Sequence, residues 1–539
     1  MTTRRRFLQA LASTPLALSM RLSRAASGPP SRLALVIGNS SYRDAPLTNP
    51  VNDAGAMAGL FGQAGFDVAS HLDATRADMI AAIERFGAAL RQPEIRQAVF
   101  YYAGHGVQLD WRNYLLPVDA AVDTADQLRQ RCVDLGLLLS QFSAAKDKTF
   151  IIFLDACRDH PFGNAYQPDQ KGLSQFDAPV GSLIAYATSP GSVALDGSGK
   201  NGLYTDNLVH ELSVRGTRIE DALKRVRLNV RLTSRGAQIP WETTSLESDI
   251  FLFGAGQNKL SDAELEQQIE ADLAAWAGIK SSHKIDDWVG YLRTFPNGRF
   301  AEIAQMRLAR LLAELEKPAA LGVVSMAPTT DSAPAIQLMA GAQAPQLLQP
   351  SANPYSAGRY PIGRKYTVGD RARSRETDLL TGVEQGVHTV RVTRVDEDAD
   401  RVEFNGGRII TDLMGNTVKF GKREFDIPQQ LVPAELQVGK KWTAVYTLTK
   451  KGSESSGYLD LRIVRRENVV VPAGTFDAFR IEAQGWNRTS GDLINMTQWL
   501  VPGLNFTVKR ETTIRNRKGR LKVTERHELI SSRQQIFGN

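Results

Sequence analysis

Cys157 and His105 are the two residues whose types and placement could do chemistry together. Cys157 lies in Phe150-Ile-Ile-Phe-Leu-Asp-Ala-Cys-Arg-Asp-His-Pro-Phe162, where an apolar run from Phe150 to Leu154 leads into Asp155 and then into a polar turn. His105 ends a second such run, Arg96-Gln-Ala-Val-Phe-Tyr-Tyr-Ala-Gly-His-Gly106, with a glycine on either side. A thiolate, not a thiol, is the nucleophile, and a free thiol is mostly protonated at neutral pH. A histidine within reach supplies the base, and later the acid for a leaving amine. The chemistry that results is acyl transfer, with hydrolysis of an amide as its simplest outcome. A lone histidine is most often a satisfied core residue, but one flanked by glycines at a strand end is poorly placed for a core.

Those two side chains need strands to deliver them. A continuous apolar run broken by a polar turn reads as a buried parallel strand, and sites of open α/β sheets sit at the carboxyl ends of such strands. Upstream, Leu33–Ile37 and Phe66–Val68 read as strands, and 52–62 and Asp78–Leu90 as helices, the second with Met79, Ile80, Ile83, Phe86 and Leu90 on one face. A helix is expected over Val133–Ser143. Beyond Cys157, Ser182–Thr188 reads as a strand, Leu203–Leu212 and Arg218–Leu232 as helices, and Ile250–Phe253 as a strand closing the sheet. Strand–helix alternation gives an α/β fold, a mainly parallel sheet with helices on both faces. The connection from Asp159 to Gly181 is long and polar, and such a loop beside a reactive residue is more often functional than accidental.

Taken in order, Ile37-Gly-Asn39, Asn52-Asp53, Tyr102-Ala-Gly-His-Gly106, Leu115-Leu-Pro-Val-Asp119 and Leu154-Asp-Ala-Cys-Arg158 resemble the caspase-like peptidases, in their metacaspase and paracaspase branch. Cys157 follows His105 by 52 residues, which is the caspase-type spacing. The resemblance covers the domain from 32 to 256. It implies a caspase-haemoglobinase-like fold, a Cys157–His105 dyad, and an oxyanion hole from the backbone N–H groups of Gly106 and Cys157. Gly104 and Gly106 have a plainer reading as turn formers. The chain departs from the caspase signature, in which Gln-Ala-Cys precedes Arg, Gln or Gly and then Gly: here Asp155-Ala-Cys-Arg-Asp159 stands instead. In metacaspases and paracaspases, aspartates at the positions of Asp53 and Asp155 line the primary pocket and pair with a substrate arginine or lysine. Asp196 is a candidate third acid. The plain alternatives are that Asp53 stabilises a helix N-terminus and that Asp155 accepts hydrogen bonds from its turn. Within the long loop, Lys171 in Gln170-Lys-Gly172 is a candidate point of self-cleavage. A non-catalytic interaction module of the cell envelope is the second functional class, against which the intact dyad speaks.

Composition is that of ordinary globular material, 42% hydrophobic and 23% charged over 539 residues. Residues 1–25 are set apart. Arg4-Arg-Arg-Phe-Leu8 precedes an apolar stretch from Ala10 to Met20 and then Ser23-Arg-Ala25, which resembles a twin-arginine export leader and implies a periplasmic or secreted mature chain. The leader holds five arginines and no acid, so its removal takes the formal charge from +7 to +2. Residues 501–539 alone carry +6, leaving the body between them at about −4. The basic balance therefore belongs to the two ends, and no nucleic-acid partner is expected. Two cysteines could form one disulfide, but an oxidised Cys157 could not act, so free thiols and a buried Cys132 are preferred. His160, Asp159 and Asp119 show no zinc-like spacing and nothing resembles an EF-hand loop. No cofactor or metal is expected, although some metacaspases need calcium.

From 262 to 316 the pattern is helical, with one tetratricopeptide-like pair around Trp288 and Ala301–Leu315. Residues 317–354 are rich in Ala, Pro, Gln and Ser and read as a flexible linker. From 355 to 539 the period changes to two, as in Thr389–Val395, Trp442–Leu448, Tyr458–Val464 and Leu521–Thr524, which predicts an antiparallel β domain. Its ligand is not written in the sequence, an envelope partner being one candidate, and neither is the oligomeric state.

Overall fold

The computed structural model describes residues 31–145, 147–156, 162, 166, 172–189, 194, 199–254, 262–298, 300–316, 335–338, 353–450 and 452–535. The N-terminal domain opens with β1 (Arg32–Gly38), α1 (Pro50–Gln63), β2 (Asp67–Leu72) and α2 (Arg76–Leu90). It continues through β3 (Gln97–Gly104), a hairpin of β4 (Gly106–Leu109) and β5 (Arg112–Leu115), α3 (Ala125–Arg131), β6 (Val133–Asp134) and α4 (Leu135–Ala144). After β7 (Thr149–Ala156) come β8 (Ser182–Tyr186), α5 (Leu203–Leu212), α6 (Ile219–Thr233) and β9 (Trp241–Thr244). The main sheet runs in the order β2-β1-β3-β7-β8-β9, parallel except for β9. Helices α1, α5 and α6 form one packed group and α2 and α4 another. Every residue of β3 is buried, as is all of β7 except Thr149, which is why both read as unbroken apolar runs.

Two local expectations are corrected. Ile250–Phe253 does not close the sheet: Phe251 makes a single bridge to Arg218, and β9 takes the edge instead. The apolar character of the later segment comes from packing, since Leu252 is buried in the core and its carbonyl accepts from Arg32 Nη1 at 3.1 Å. The helix expected from Val133 starts two residues later, because Asp134 caps it by accepting from Gly136 N at 2.7 Å while Val133 pairs with Leu115.

Helices α7 (Asp262–Ile279), α8 (Ile285–Thr294) and α9 (Ala301–Glu316) follow. The C-terminal domain is antiparallel throughout, and it closes. Strand Leu521–Gln535 pairs with Arg371–Asp378 on one side and with Lys509–Arg515 on the other, completing a barrel of twelve strands. A short strand, Ala335–Leu338, lies within the segment between helices and barrel and pairs with Ser532–Gln535. Among the described residues no helix is long and apolar enough to cross a membrane.

The helices are not a free appendage. Trp288, Phe300 and Leu308 share one core cluster with Leu459, Phe479 and Ile481 of the barrel. Glu302 of α9 accepts from Ala434 N at 2.9 Å and pairs with Lys440 at 2.8 Å. Burial acts to raise the Glu302 carboxyl, but Lys440 and Lys224 outweigh it and hold it at about 2. A carboxylate depressed in the folded state stabilises above its unfolded pKa of about 4.3, and that stability is lost as pH falls towards 2. Glu302→Gln is therefore expected to cost about 1–3 kcal/mol at pH 7. The difference from the parent should shrink between about pH 4 and pH 2. Thermal unfolding of both chains across that range checks it, and a difference that does not change with pH would refute the assignment.

Candidate functional site

The carboxyl ends of β3 and β7 lie side by side, in a register that pairs Gly104 with Ala156. In sequence the next residues are His105 and Cys157. His105 is described, and is 1% exposed. Cys157 lies outside the described residues, with Arg158, Asp159, His160, Lys171 and Asp196.

His105 is held from several directions. Its backbone N–H donates to Tyr42 Oη at 3.0 Å, and its carbonyl accepts from Tyr102 Oη at 2.7 Å and from Leu116 N at 3.1 Å. The Tyr42 ring lies against the imidazole, centroids 4.5 Å apart. Nε2 meets the carbonyl oxygen of Ala45 at 2.7 Å. A carbonyl can only accept, so that contact assigns the proton to Nε2 and leaves Nδ1 as the basic nitrogen. Ala45 belongs to the loop after β1, which Asp73 fixes by accepting from Ser40 N at 2.7 Å and from Ser41 N at 2.9 Å.

The flanking glycines answer to space. A β-carbon on Gly104, whose φ is +152°, would stand 2.5 Å from Tyr42 Oη; one on Gly106 would stand 2.9 Å from Cβ of Ala156. Gly104 is thus required by the tyrosine that supports His105, and Gly106 by the contact between its own strand and β7.

Asp53 and Asp155 meet beneath the N-terminus of α5. Asp53, fully buried, accepts from Gly202 N at 2.9 Å, and Asp155, 2% exposed, accepts from Thr205 Oγ1 at 2.7 Å. Thr205 Oγ1 also lies 2.5 Å from Tyr101 Oη. Burial, then Asp155 and then Asp53, push the Tyr101 phenol well above its ordinary value, which reports both acids close by. Two carboxylates at a helix N-terminus suit the positive end of its dipole.

Cys132 is buried against Tyr42, Val107, Tyr114 and Leu128 as a free thiol pushed up to about 12 by burial, a core residue and not a reactive one. Asp119 accepts from Arg76 N at 2.9 Å, adding to the Thr75–Asp78 capping box at the start of α2.

The comparisons with known proteins follow this geometry. The family description "Caspase domain" matches residues 31–251. Residues 31–251 are a caspase domain. The mucosa-associated lymphoid tissue lymphoma translocation protein 1 of Homo sapiens is 28% identical over 166 residues, which is 31% of this chain and 19% of the relative. Its homolog from Mus musculus matches at the same identity and coverage. The chain thus spans about a fifth of the length of these relatives.

Caspase domains are cysteine peptidases as a family, and the caspase domain here holds its candidate histidine with residues that sequence reasoning passed over. Tyr42 lies outside the motifs, Tyr102 enters them only as the first residue of Tyr102–Gly106, and the Ala45 carbonyl is a backbone group that no side-chain signature reports. The caspase domain is also clasped by the start of the C-terminal segment. Asn353 Nδ2 donates to Gln175 O at 2.6 Å, and Asp177 accepts from Ser356 Oγ at 2.8 Å and from Ala357 N at 2.9 Å. Tyr355 stacks on Phe176 with centroids 4.9 Å apart. Far from this site, Glu376, Glu525 and His527 bring donor atoms within 4.8 Å of one another on the barrel wall. Arg510, in register with His527, already supplies positive charge to both carboxylates.

Proposed function

We propose that this chain is a cysteine endopeptidase that cleaves after arginine or lysine. The thiol of Cys157 loses its proton to Nδ1 of His105 and attacks the peptide carbonyl. The backbone N–H groups of Gly106 and Cys157 receive the oxyanion, the imidazolium returns the proton to the leaving amine, and water hydrolyses the acyl-enzyme. The observation that carries the reading is the β3–β7 register beside a histidine whose tautomer is set by Ala45. The two buried acids, Asp53 on α1 and Asp155 one residue before the end of β7, support the choice of a basic side chain.

Hydrolysis of a peptide panel tests it. Peptides with Arg before the cleaved bond should be cut at least as fast as those with Lys, since guanidinium pairs with a carboxylate in two hydrogen bonds and ammonium as a point charge. Both should be far better than Asp, which meets like charge. Cleavage after Asp with Arg ignored would overturn the assignment of the pocket.

The leader supports export. Replacing Arg4 and Arg5 by lysine is expected to leave the chain in the cytoplasm, read by fractionation. Unchanged export would refute the twin-arginine reading, and residues 1–30 lie outside the described residues.

A further inference from the structure

The barrel has two unlike ends. Its strands alternate in direction, so every second connection lies at the same end. Loops 397–400, 412–416, 426–440, 472–473 and 501–508 form the end that meets the rest of the chain, where Ala434 N donates to Glu302 of α9 and Gln437 Nε2 donates to the Glu242 carbonyl of the caspase domain at 3.2 Å. Together they hold six Asp or Glu and one Lys. The other end is made by loops 379–383, 405–408, 421–422, 451–452, 488–491 and 516–520, which contain no Asp or Glu. Their described basic side chains, Arg408, Lys422, Arg488, Arg517, Lys518 and Arg520, are all exposed. The ion pairs near them among the described residues, Lys419–Glu424 and Lys522–Asp492, are made by strand residues. The strand residues that flank these loops are balanced, Asp378, Glu384 and Asp492 against Arg423, Lys450 and Arg515, so the excess charge belongs to the loops.

The same end holds apolar side chains out in water: Leu380 is 71% exposed, Val383 62%, Phe420 53% and Trp486 43%. The turn that carries the first two is built to do so. The Asp378 carbonyl accepts from Gly382 N at 2.8 Å, and Asp378 Oδ1 accepts from Leu380 N at 3.0 Å and Thr381 N at 2.8 Å. This turn neighbours the most basic loop, 516–520, since Asp378 pairs with Glu525 and Leu379 N donates to Thr524 O at 3.2 Å. A nucleic acid would meet the cations and leave the apolar tips wet, and an apolar protein face would do the reverse. A bilayer with anionic head groups offers phosphate at the level of the cations and hydrocarbon just beneath it, which suits both. We infer that this end of the barrel docks on an anionic lipid bilayer, with the caspase domain at the opposite end. This does not rest on the peptidase reading.

Flotation with vesicles of phosphatidylcholine, alone or mixed with phosphatidylglycerol, tests it. The full chain and the chain from Ala26 onward are both used, so that the basic, apolar leader is not mistaken for the barrel. Both should bind the mixed vesicles and come off as salt rises, and binding to phosphatidylcholine alone should be at least about tenfold weaker. Each Lys or Arg near an anionic surface contributes about fivefold, so Arg517→Gln with Lys518→Gln and Arg520→Gln should weaken binding about a hundredfold. Leu380→Ser with Phe420→Ser should weaken it at least about tenfold, whereas Val470→Ser, 70% exposed at the opposite end, should leave it unchanged. Every substituted side chain is exposed, and an unchanged melting temperature checks that each variant folds. Equal binding to both kinds of vesicle, binding only by the chain with its leader, full binding in either loop variant, tighter binding of a DNA oligonucleotide than of vesicles, or no binding at all would each overturn the inference.

Discussion

Cys157→Ala is expected to leave no measurable hydrolysis of an arginine peptide, and His105→Ala to lower kcat by about 10²–10⁴-fold. The two losses differ because alanine at 157 removes the atom that forms the acyl bond, whereas at 105 it removes only the proton carrier. They should not add: the double variant should be no worse than Cys157→Ala, since a base without a nucleophile has nothing to activate. Steady-state kinetics with active-site titration decides the matter. Retention of activity within tenfold in Cys157→Ala would exclude the thiol as nucleophile. Inactivity of the parent towards every peptide would favour an interaction module that keeps the fold without the reaction.

The second large effect is on specificity. Asp155→Asn preserves size and can still accept from Thr205, so the replacement tests charge with little change of shape. Each charge-assisted hydrogen bond contributes roughly 1.5–3 kcal/mol, so kcat/KM for an arginine peptide should fall about ten- to a hundredfold. Asp53→Asn should fall similarly, and the pair less than additively, because both acids act through the same helix terminus. The informative readout is the ratio of arginine to citrulline peptides, since citrulline is a neutral guanidine isostere. A collapse of that ratio identifies a specificity pocket. If the melting temperature drops while the ratio stays, the two aspartates serve only to seat α5, the plain role that their contacts with Gly202 and Thr205 also permit.

The core of this arrangement could be read from the chain because it is written in short-range pattern. Buried parallel strands must be continuously apolar, so Phe150–Leu154 and Val99–Tyr102 declare themselves, and the polar residues that interrupt them mark the candidate site. What escaped is written in long-range geometry. Nothing near Ala45 says that its carbonyl will meet a histidine sixty residues on. The hairpin Gly106–Leu115 is too short and too mixed to show a period, and Trp241–Thr244, half polar at a sheet edge, was outcompeted by the more apolar Ile250–Phe253. In the C-terminal domain the alternation gave individual strands correctly, as with Thr389–Val395 inside Glu384–Asp396. Closure depends on Leu521–Gln535 finding Arg371–Asp378 across some 150 residues, and no local pattern encodes that.

The clasp of Asn353–Ala357 on Ser174–Asp177 bears on how a cut chain would behave. The backbone leaves the caspase domain near Gly254 and returns, about a hundred residues later, to tie down the stretch that leads into β8. A nick between α9 and Asn353 leaves both pieces gripping each other through Asp177, the Phe176–Tyr355 stack and the shared helix–barrel core. Such a molecule would run as two bands when denatured and travel as one particle when native, so processing can be complete while the assembly stays whole.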